Sequence, residues 1–173
     1  MPSPETPDRL TITDLQNNDS IEAMFNPNAL TRRIAVNYAK KAVLGNSHQE
    51  HEYLQTDNMQ IMFDLFFNVE TPADLAKATA SINFLESLCY GPADPESIAQ
   101  AAPPRCLLVW PRTMSLVARL VSVEVRHQRW NRFGNTTQAT VSTTWQEDRL
   151  SRLFKGDVRL LGAFRPSENP ESD

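Results

Sequence analysis

The chain has 173 residues, of which 40% are hydrophobic and 22% are charged, a composition typical of one globular domain with a sizeable core. The formal net charge of −4 argues against broad, nonspecific binding to nucleic acid or to an anionic membrane. The sequence has no run of about 18 apolar residues that could cross a bilayer, and the N-terminal segment MPSPETPDRL lacks the apolar stretch of a secretory signal.

The first third of the chain predicts a flexible start and two strands. Residues 1–19 are rich in Pro, Asp and Asn, which favours a flexible N-terminal arm or an extended lead-in. IEAMFNP predicts a short strand that Pro27 ends, because proline cannot donate to a sheet ladder. LTRRIAVNYAKK predicts a second strand with Ile34, Val36 and Tyr38 on one face.

The strongest strand pattern, NMQIMFDLFFNV, follows a polar stretch at residues 45–57 that predicts a loop. Its odd-numbered positions form an unbroken apolar face: Met59, Ile61, Phe63, Leu65 and Phe67. The opposite face is mixed and includes Asp64, which we expect either to pair with Arg119 or to face water. This pattern predicts a strand with one face in a core.

A helix is predicted directly after this strand. Thr71 can cap it, Pro72 suits the first helical position, and Asp74 favours the positive N-terminal end. Apolar residues recur at helical spacing: Leu75, Ala78, Ile82, Leu85 and Cys89. We expect this stripe to pack on the sheet face that Met59, Ile61, Phe63 or Phe67 provides.

The second half of the chain predicts a β-hairpin. CLLVWP predicts a short buried strand, and MSLVARLVSVEVRHQRW predicts a long one. Its valines alternate with more polar residues: Val117, Val121, Val123 and Val125. NRFGNT predicts a turn at Gly134, and TTQATVSTTWQE returns as the partner strand.

These elements predict a mainly β protein with one helix, built as a small antiparallel β-barrel with a flanking α-helix. We divide the chain into a flexible arm (1–19), a β-barrel domain (20–147) and a C-terminal extension with a disordered end (148–173). The extension is unusually apolar for a linker and carries Leu150, Leu153, Phe154, Leu160, Leu161 and Phe164. It either packs on its own barrel or grips a partner protein.

We predict no catalytic, cofactor or metal site. His48 and His51 lie among glutamates, but no third ligand follows at a recognised spacing, so a solvated loop is the favoured interpretation over a metalloenzyme. Cys89 and Cys106 lie in apolar runs and are expected to be buried free thiols.

The predicted hairpin tip combines basic and aromatic residues, in the segment Arg126–Phe133. Arg129, Trp130, Arg132 and Phe133 are typical of protein interfaces, although such a mixture also holds single-stranded nucleic acid. The acidic balance of the chain favours a subunit or partner-protein interface, and a nucleic-acid-binding β-barrel is the alternative.

Three segments resemble the tube-type domain of contractile injection systems, which are phage tail-like machines. They are MFNPNALTRRIAVNY, LQTDNMQIMFDLFFNVETPADLAKATASINFLESL and PPRCLLVWPRTMSLVARLVSVEVRHQRWNRFGNTTQATVSTTWQE. Together they span about residues 20 to 147, and their order is more specific than any one of them.

The resemblance implies a structural subunit, not an enzyme, with a tail-tube-like fold. It implies a ring, expected to be a hexamer, at the junction of the inner tube and spike hub with the baseplate. Expected partners are the inner-tube, spike or hub and baseplate proteins, with assembly in the bacterial cytoplasm and no direct membrane contact. Because adaptors of this type carry a LysM module and this sequence shows none, we expect a LysM-less baseplate adaptor, first tube layer or tube terminator.

Overall fold

The computed structural model describes residues 8–41, 50–92 and 102–149. Within these ranges the chain forms nine strands and one helix. In chain order they are β1 (Thr11–Asp14), β2 (Ser20–Glu22), β3 (Leu30–Arg33), β4 (Val36–Lys41), β5 (Glu50–Thr56), β6 (Gln60–Asn68), α1 (Pro72–Ser87), β7 (Cys106–Trp110), β8 (Met114–Trp130) and β9 (Thr136–Glu147).

Seven strands form one sheet in the order β2-β1-β7-β8-β9-β6-β3, and β4 and β5 form a separate two-stranded hairpin. Every ladder in both sheets is antiparallel. The predicted mainly β class, the antiparallel sheet and the helix beside it are therefore confirmed.

The chain between β2 and β3 touches both ends of this sheet. The side chain of Asn26 accepts a hydrogen bond from the Leu10 amide (3.0 Å) and donates one to the Asp8 carbonyl (2.8 Å), next to β1. Its neighbour Phe25 forms an isolated bridge to Phe66 of β6. A continuous ladder does not join the two ends in the described residues, so closure into a barrel stays a prediction.

The core lies between the inner sheet face and α1. The buried residues of β6 are Ile61, Phe63, Leu65 and Phe67, which confirms the predicted apolar face. Trp145 of β9 is fully buried, and its ring stacks on Phe63 with centroids 6.3 Å apart. The Trp145 indole donates to Thr143 Oγ1, and that hydroxyl donates to the Phe63 carbonyl, so the polar atoms on this face are satisfied.

The start of α1 confirms the predicted cap. Thr71 Oγ1 accepts from the Asp74 amide (3.2 Å), and the Asp74 carboxylate accepts from the Thr71 amide (3.0 Å). This reciprocal pair is a capping box. Ala78, Leu85 and Leu88 are buried in the same core cluster as β6, and Ile82 packs at its margin, which confirms that the helix stripe faces the core. Leu75, at the start of the predicted stripe, is only half-buried.

Two predicted irregular segments contain strands instead. Thr11–Asp14, expected in a flexible arm, form β1 between β2 and β7, with Leu10 and Ile12 buried. Glu50–Thr56, expected in a loop, form β5. Both strands are polar overall, and pairing with neighbouring strands orders them. The local sequence of a strand does not show which partners it will have.

The valine face predicted for β8 is also corrected. Ala118 and Leu120 are buried, whereas Val121 is exposed at a shift in register between Leu120 and Ser122. The extra residue changes which positions face the core. Val123 therefore resumes on the inner face, and Val121 does not share it.

Candidate functional site

The end of the β8–β9 hairpin projects from the core. Every residue from 126 to 135 is exposed, with Trp130 at 60% and Phe133 at 73% of their full accessible surface. Asn131 shapes the turn, because its side-chain oxygen accepts from the amides of Phe133 (2.9 Å) and Asn135 (3.0 Å). Gly134 completes it at a φ of +81°, a conformation that disfavours a side chain.

The charges at this tip are basic and only partly paired. Arg126 forms an ion pair with Glu124 at 3.0 Å, and the Arg132 guanidinium lies 4.6 Å from the centre of the Phe133 ring. Arg129 and Trp130 complete an exposed surface of cations and aromatic rings. The aromatic rings of such a surface bury large apolar areas on docking, and Trp and Arg are enriched in interface hot spots.

The tip brings together four of the residues predicted as interface: Arg129, Trp130, Arg132 and Phe133. The other six, in the C-terminal extension, lie outside the described residues: Leu150, Leu153, Phe154, Leu160, Leu161 and Phe164. The described chain ends beside an ionic cluster. Asp148 Oδ2 lies 2.8 Å from Arg105 Nε and 3.1 Å from Arg119 Nε.

This cluster settles the position of two residues considered above. Arg119 pairs with Asp148 and donates to the Pro103 carbonyl at 2.8 Å, so it does not pair with Asp64. Asp64 is exposed on the outer face of β6. Asp64 is therefore the water-facing carboxylate that was one of the two expectations.

A second projecting hairpin was missed at the sequence level. We call β4–β5 the arm, which is distinct from the flexible N-terminal segment predicted at residues 1–19. It stands apart from the seven-stranded sheet. Its base is held by Asp57, whose carboxylate accepts from the side chains of Asn37 (2.9 Å) and Gln55 (3.1 Å). The alternation of Ile34, Val36 and Tyr38 was visible in the sequence, but it marks an exposed face and not a core face.

An open groove of about 820 Å³ lies between β2 and the outer face of α1. We call it the helix groove. Ile21, Met24 and Phe84 form its apolar part, and Phe25 contributes a ring that is 48% exposed. A smaller cavity of about 370 Å³ lies on the other side of α1, beside Gly134 of the hairpin turn.

In the part of the chain that is described, no three His, Cys, Asp or Glu side chains are placed to hold a metal ion; His48 is outside those residues. Burial raises the pKa of the Cys106 thiol to about 12, with the Asp14 carboxylate adding to the effect. Cys106 is buried and Cys89 half-buried, and both are free thiols. In the described ranges, no helix has the length and apolar character needed to span a bilayer.

Comparison with known proteins gives one family and several distant structures. A family model described as contractile injection system tube protein matches residues 8–153. Similar solved structures include the tail of an empty GTA particle with C6 symmetry (12% identity, TM-score 0.42, 88% of this chain and 99% of that chain). Another is the six-fold symmetrised baseplate of the anti-feeding prophage (11% identity, TM-score 0.36, 86% and 95%). No curated protein matches significantly.

Proposed function

Because the chain belongs to the contractile injection system tube protein family, we propose that it forms a ring where the inner tube and spike hub of such a particle meet the baseplate. The ring is a hexamer, as the sequence resemblance to inner-tube proteins implies. Its partners are the inner-tube, spike or hub and baseplate proteins. Its role is structural, and it assembles in the bacterial cytoplasm before becoming part of the particle.

The exposed β8–β9 tip is the observation that supports this role. A hairpin that extends past its core and ends in Trp130 and Phe133, both mostly exposed, leaves apolar surface in water. Exposed apolar surface does not stabilise an isolated protein, whereas an assembly buries that surface against a neighbouring chain. The tip is therefore assigned as the contact with a neighbouring subunit or partner, and the C-terminal extension as a second grip.

The alternative function is nucleic-acid binding through the same tip. Arg126, Arg129 and Arg132 with two aromatic rings would suit a single strand. Arg126 is already paired with Glu124 and the whole chain carries a net charge of −4, so a protein partner is favoured. Binding to a labelled single-stranded oligonucleotide at two salt concentrations separates the two functions.

The test is a double variant, Trp130→Ala with Phe133→Ala, expressed with the other particle components. We expect it to fold with unchanged circular dichroism but to be missing from purified particles, or to prevent their formation. Tyr90→Ala is the matched control, because Tyr90 is 67% exposed and lies outside the tip. Normal particles containing the double variant at full occupancy, seen by electron microscopy, would remove the tip as an interface.

A further inference from the structure

The arm presents one face that is apolar and basic. Cross-strand pairing places Tyr38 opposite Tyr53 and Lys40 opposite His51, and cross-strand partners share a face. The two tyrosine rings lie edge to face at 6.2 Å, and the Tyr38 and His51 rings at 6.3 Å. Tyr38 remains 54% exposed and Tyr53 59% exposed, so the described chain leaves this aromatic face uncovered.

The arm is held ready for contact. Asp57 ties both strands together at the base through Asn37 and Gln55. Tyr53 is further fixed by a hydrogen bond between its hydroxyl and Thr56 Oγ1 at 3.0 Å. Ordering a hairpin before it binds lowers the entropic cost of association.

The helix groove has the complementary chemistry. Its apolar part can accept aromatic rings, and three acidic residues line it, Glu22, Glu70 and Asp74, against two basic residues, Arg9 and Lys77. Arg9 is already within 3.5 Å of Glu22. The groove therefore keeps an excess of negative charge. Within the described residues, the arm face carries the positive charge of Lys40 and the imidazole of His51 beside its two tyrosines.

The two surfaces lie at opposite ends of the molecule. The arm joins β6 before Gln60, and the groove lies beyond Phe67 at the other end of the same strand. Nine strand residues span about 25–30 Å, so the arm of one copy does not reach its own groove. A surface at one end that complements a surface at the other end gives head-to-tail association between copies.

We propose that the arm of each copy docks in the helix groove of a second copy of this chain, with Tyr38 and Tyr53 against the apolar part of the groove. The contact rests on the proposed function, and it supplies the subunit interface that a ring or a stack of rings needs. β2 is the last strand on its side of the sheet, so an arm strand can also pair with its free edge.

The first test measures self-association of the purified full chain by sedimentation equilibrium. Tyr38→Glu with Tyr53→Glu should weaken it at least 30-fold or so, the loss typical of removing a central hot spot. Ala80→Arg, which fills the groove from an exposed helix position, should have the same effect. Tyr90→Glu and Ala76→Arg are matched controls outside both surfaces and should associate like the original chain.

The second test mixes the two defective variants in equal amounts. Each retains one intact half of the contact, so the mixture should form a 1:1 dimer that grows no further, while each variant alone stays monomeric. A mixture that remains monomeric, or variants that associate as the original chain does, would overturn the inference. So would an original chain that stays monomeric at every concentration tested.

These outcomes are separate from a failure of the proposed function. If the arm variants still enter particles at full occupancy, the arm contact is refuted but the proposed role in the particle stands. If the chain self-associates through the arm and groove but is never found in particles, the proposed role is refuted and the arm contact stands.

Discussion

At the residue scale, a few polar side chains decide where elements begin and end. Thr71 and Asp74 close the first turn of α1 by exchanging hydrogen bonds with each other's amides. Asn131 closes the β8–β9 turn by accepting from two amides. Asn26 ties the chain after β2 to the backbone beside Leu10. Each satisfies backbone groups that the regular elements leave unpaired.

The cap predicts a measurable loss of stability. Thr71→Ala removes the acceptor for the Asp74 amide and should lower the free energy of unfolding by about 1 kcal/mol. Urea unfolding followed by circular dichroism measures this. Thr79→Ala is the matched control, since Thr79 is an exposed interior position of the same helix where alanine has the better propensity. Equal losses for both variants would contradict the capping role.

The thiols predict a difference in reactivity. Because burial raises the pKa of Cys106 to about 12, this thiol should resist iodoacetamide at pH 8 in the folded protein and react after unfolding. The Cys89→Ser variant isolates its signal, read by mass spectrometry. The neutral buried thiol also contributes stability below its ordinary pKa of 9.0, and that contribution should fall as the pH rises from about 9 to about 12. Fast labelling of folded Cys89→Ser protein would show that the site opens.

At the element scale, α1 and the β8–β9 hairpin have different tasks. The helix covers the inner sheet face with Ala78 and Leu85, so its pattern follows the core. The hairpin is buried over its base, where Leu120 and Trp145 lie, and exposed at its tip. The same pair of strands therefore carries both core contacts and the surface assigned to assembly.

The helix contact predicts a large cost for a small truncation. Leu85→Ala should lower the free energy of unfolding by about 3 kcal/mol, because it opens a cavity at a fully buried position. Asn83→Ala, at an exposed position two residues earlier, should change it by less than about 0.5 kcal/mol. Denaturant titration measures both. A Leu85→Ala variant as stable as Asn83→Ala would place the helix away from the core.

Substitutions at Gly134 in the β8–β9 turn should change stability through the backbone conformation and not through steric clashes. An added Cβ at Gly134 would meet no atom within 4 Å, so Gly134→Ala should cost about 1 kcal/mol through its positive φ alone. Gly134→Asn should cost less, since asparagine tolerates this conformation. Thermal unfolding of the two variants gives the order. A larger loss for asparagine than for alanine would show that space, and not backbone conformation, limits the position.

At the scale of the whole molecule, a single sheet supports two projections and the departure point of the C-terminal extension. The β8–β9 tip and the arm leave apolar surface exposed, while Asp148 is held by Arg105 and Arg119 at the end of β9. This arrangement separates the stable core from the surfaces assigned to contact. Substitutions at those surfaces should therefore change assembly without changing folding.

Truncation tests where the folded domain ends. A chain ending after Arg149 keeps the Asp148 cluster and should unfold at the same denaturant concentration as the full chain, yet fail to join tube to baseplate. A chain ending after Glu147 also loses the two arginine contacts and should be less stable by about 1 kcal/mol, since these groups are partly exposed. If the chain ending after Arg149 does not fold, the extension belongs to the core and is not a grip.

The sequence by itself determined the elements whose signals are local. The alternation in β6, the cap and stripe of α1, and the glycine turn of β8–β9 each depend on neighbouring residues, and all three lie where predicted. The exposed tip residues followed from the same turn, because a hairpin longer than its core must project. The resemblance to the tube-type domain added the family, which the match over residues 8–153 confirms.

Only the tertiary structure decided the elements that depend on distant partners. β1 is ordered by pairing with β7, 92 positions away at Asp14–Cys106. β5 is ordered by pairing with β4, 18 positions away at Asn37–Gln55. The composition of neither strand shows this order. The bulge at Val121 reverses the facing of β8 because the partner strand sets its register. The alternation of Ile34, Val36 and Tyr38 did not reveal that their face is exposed, since alternation shows that two faces differ but not which one is covered.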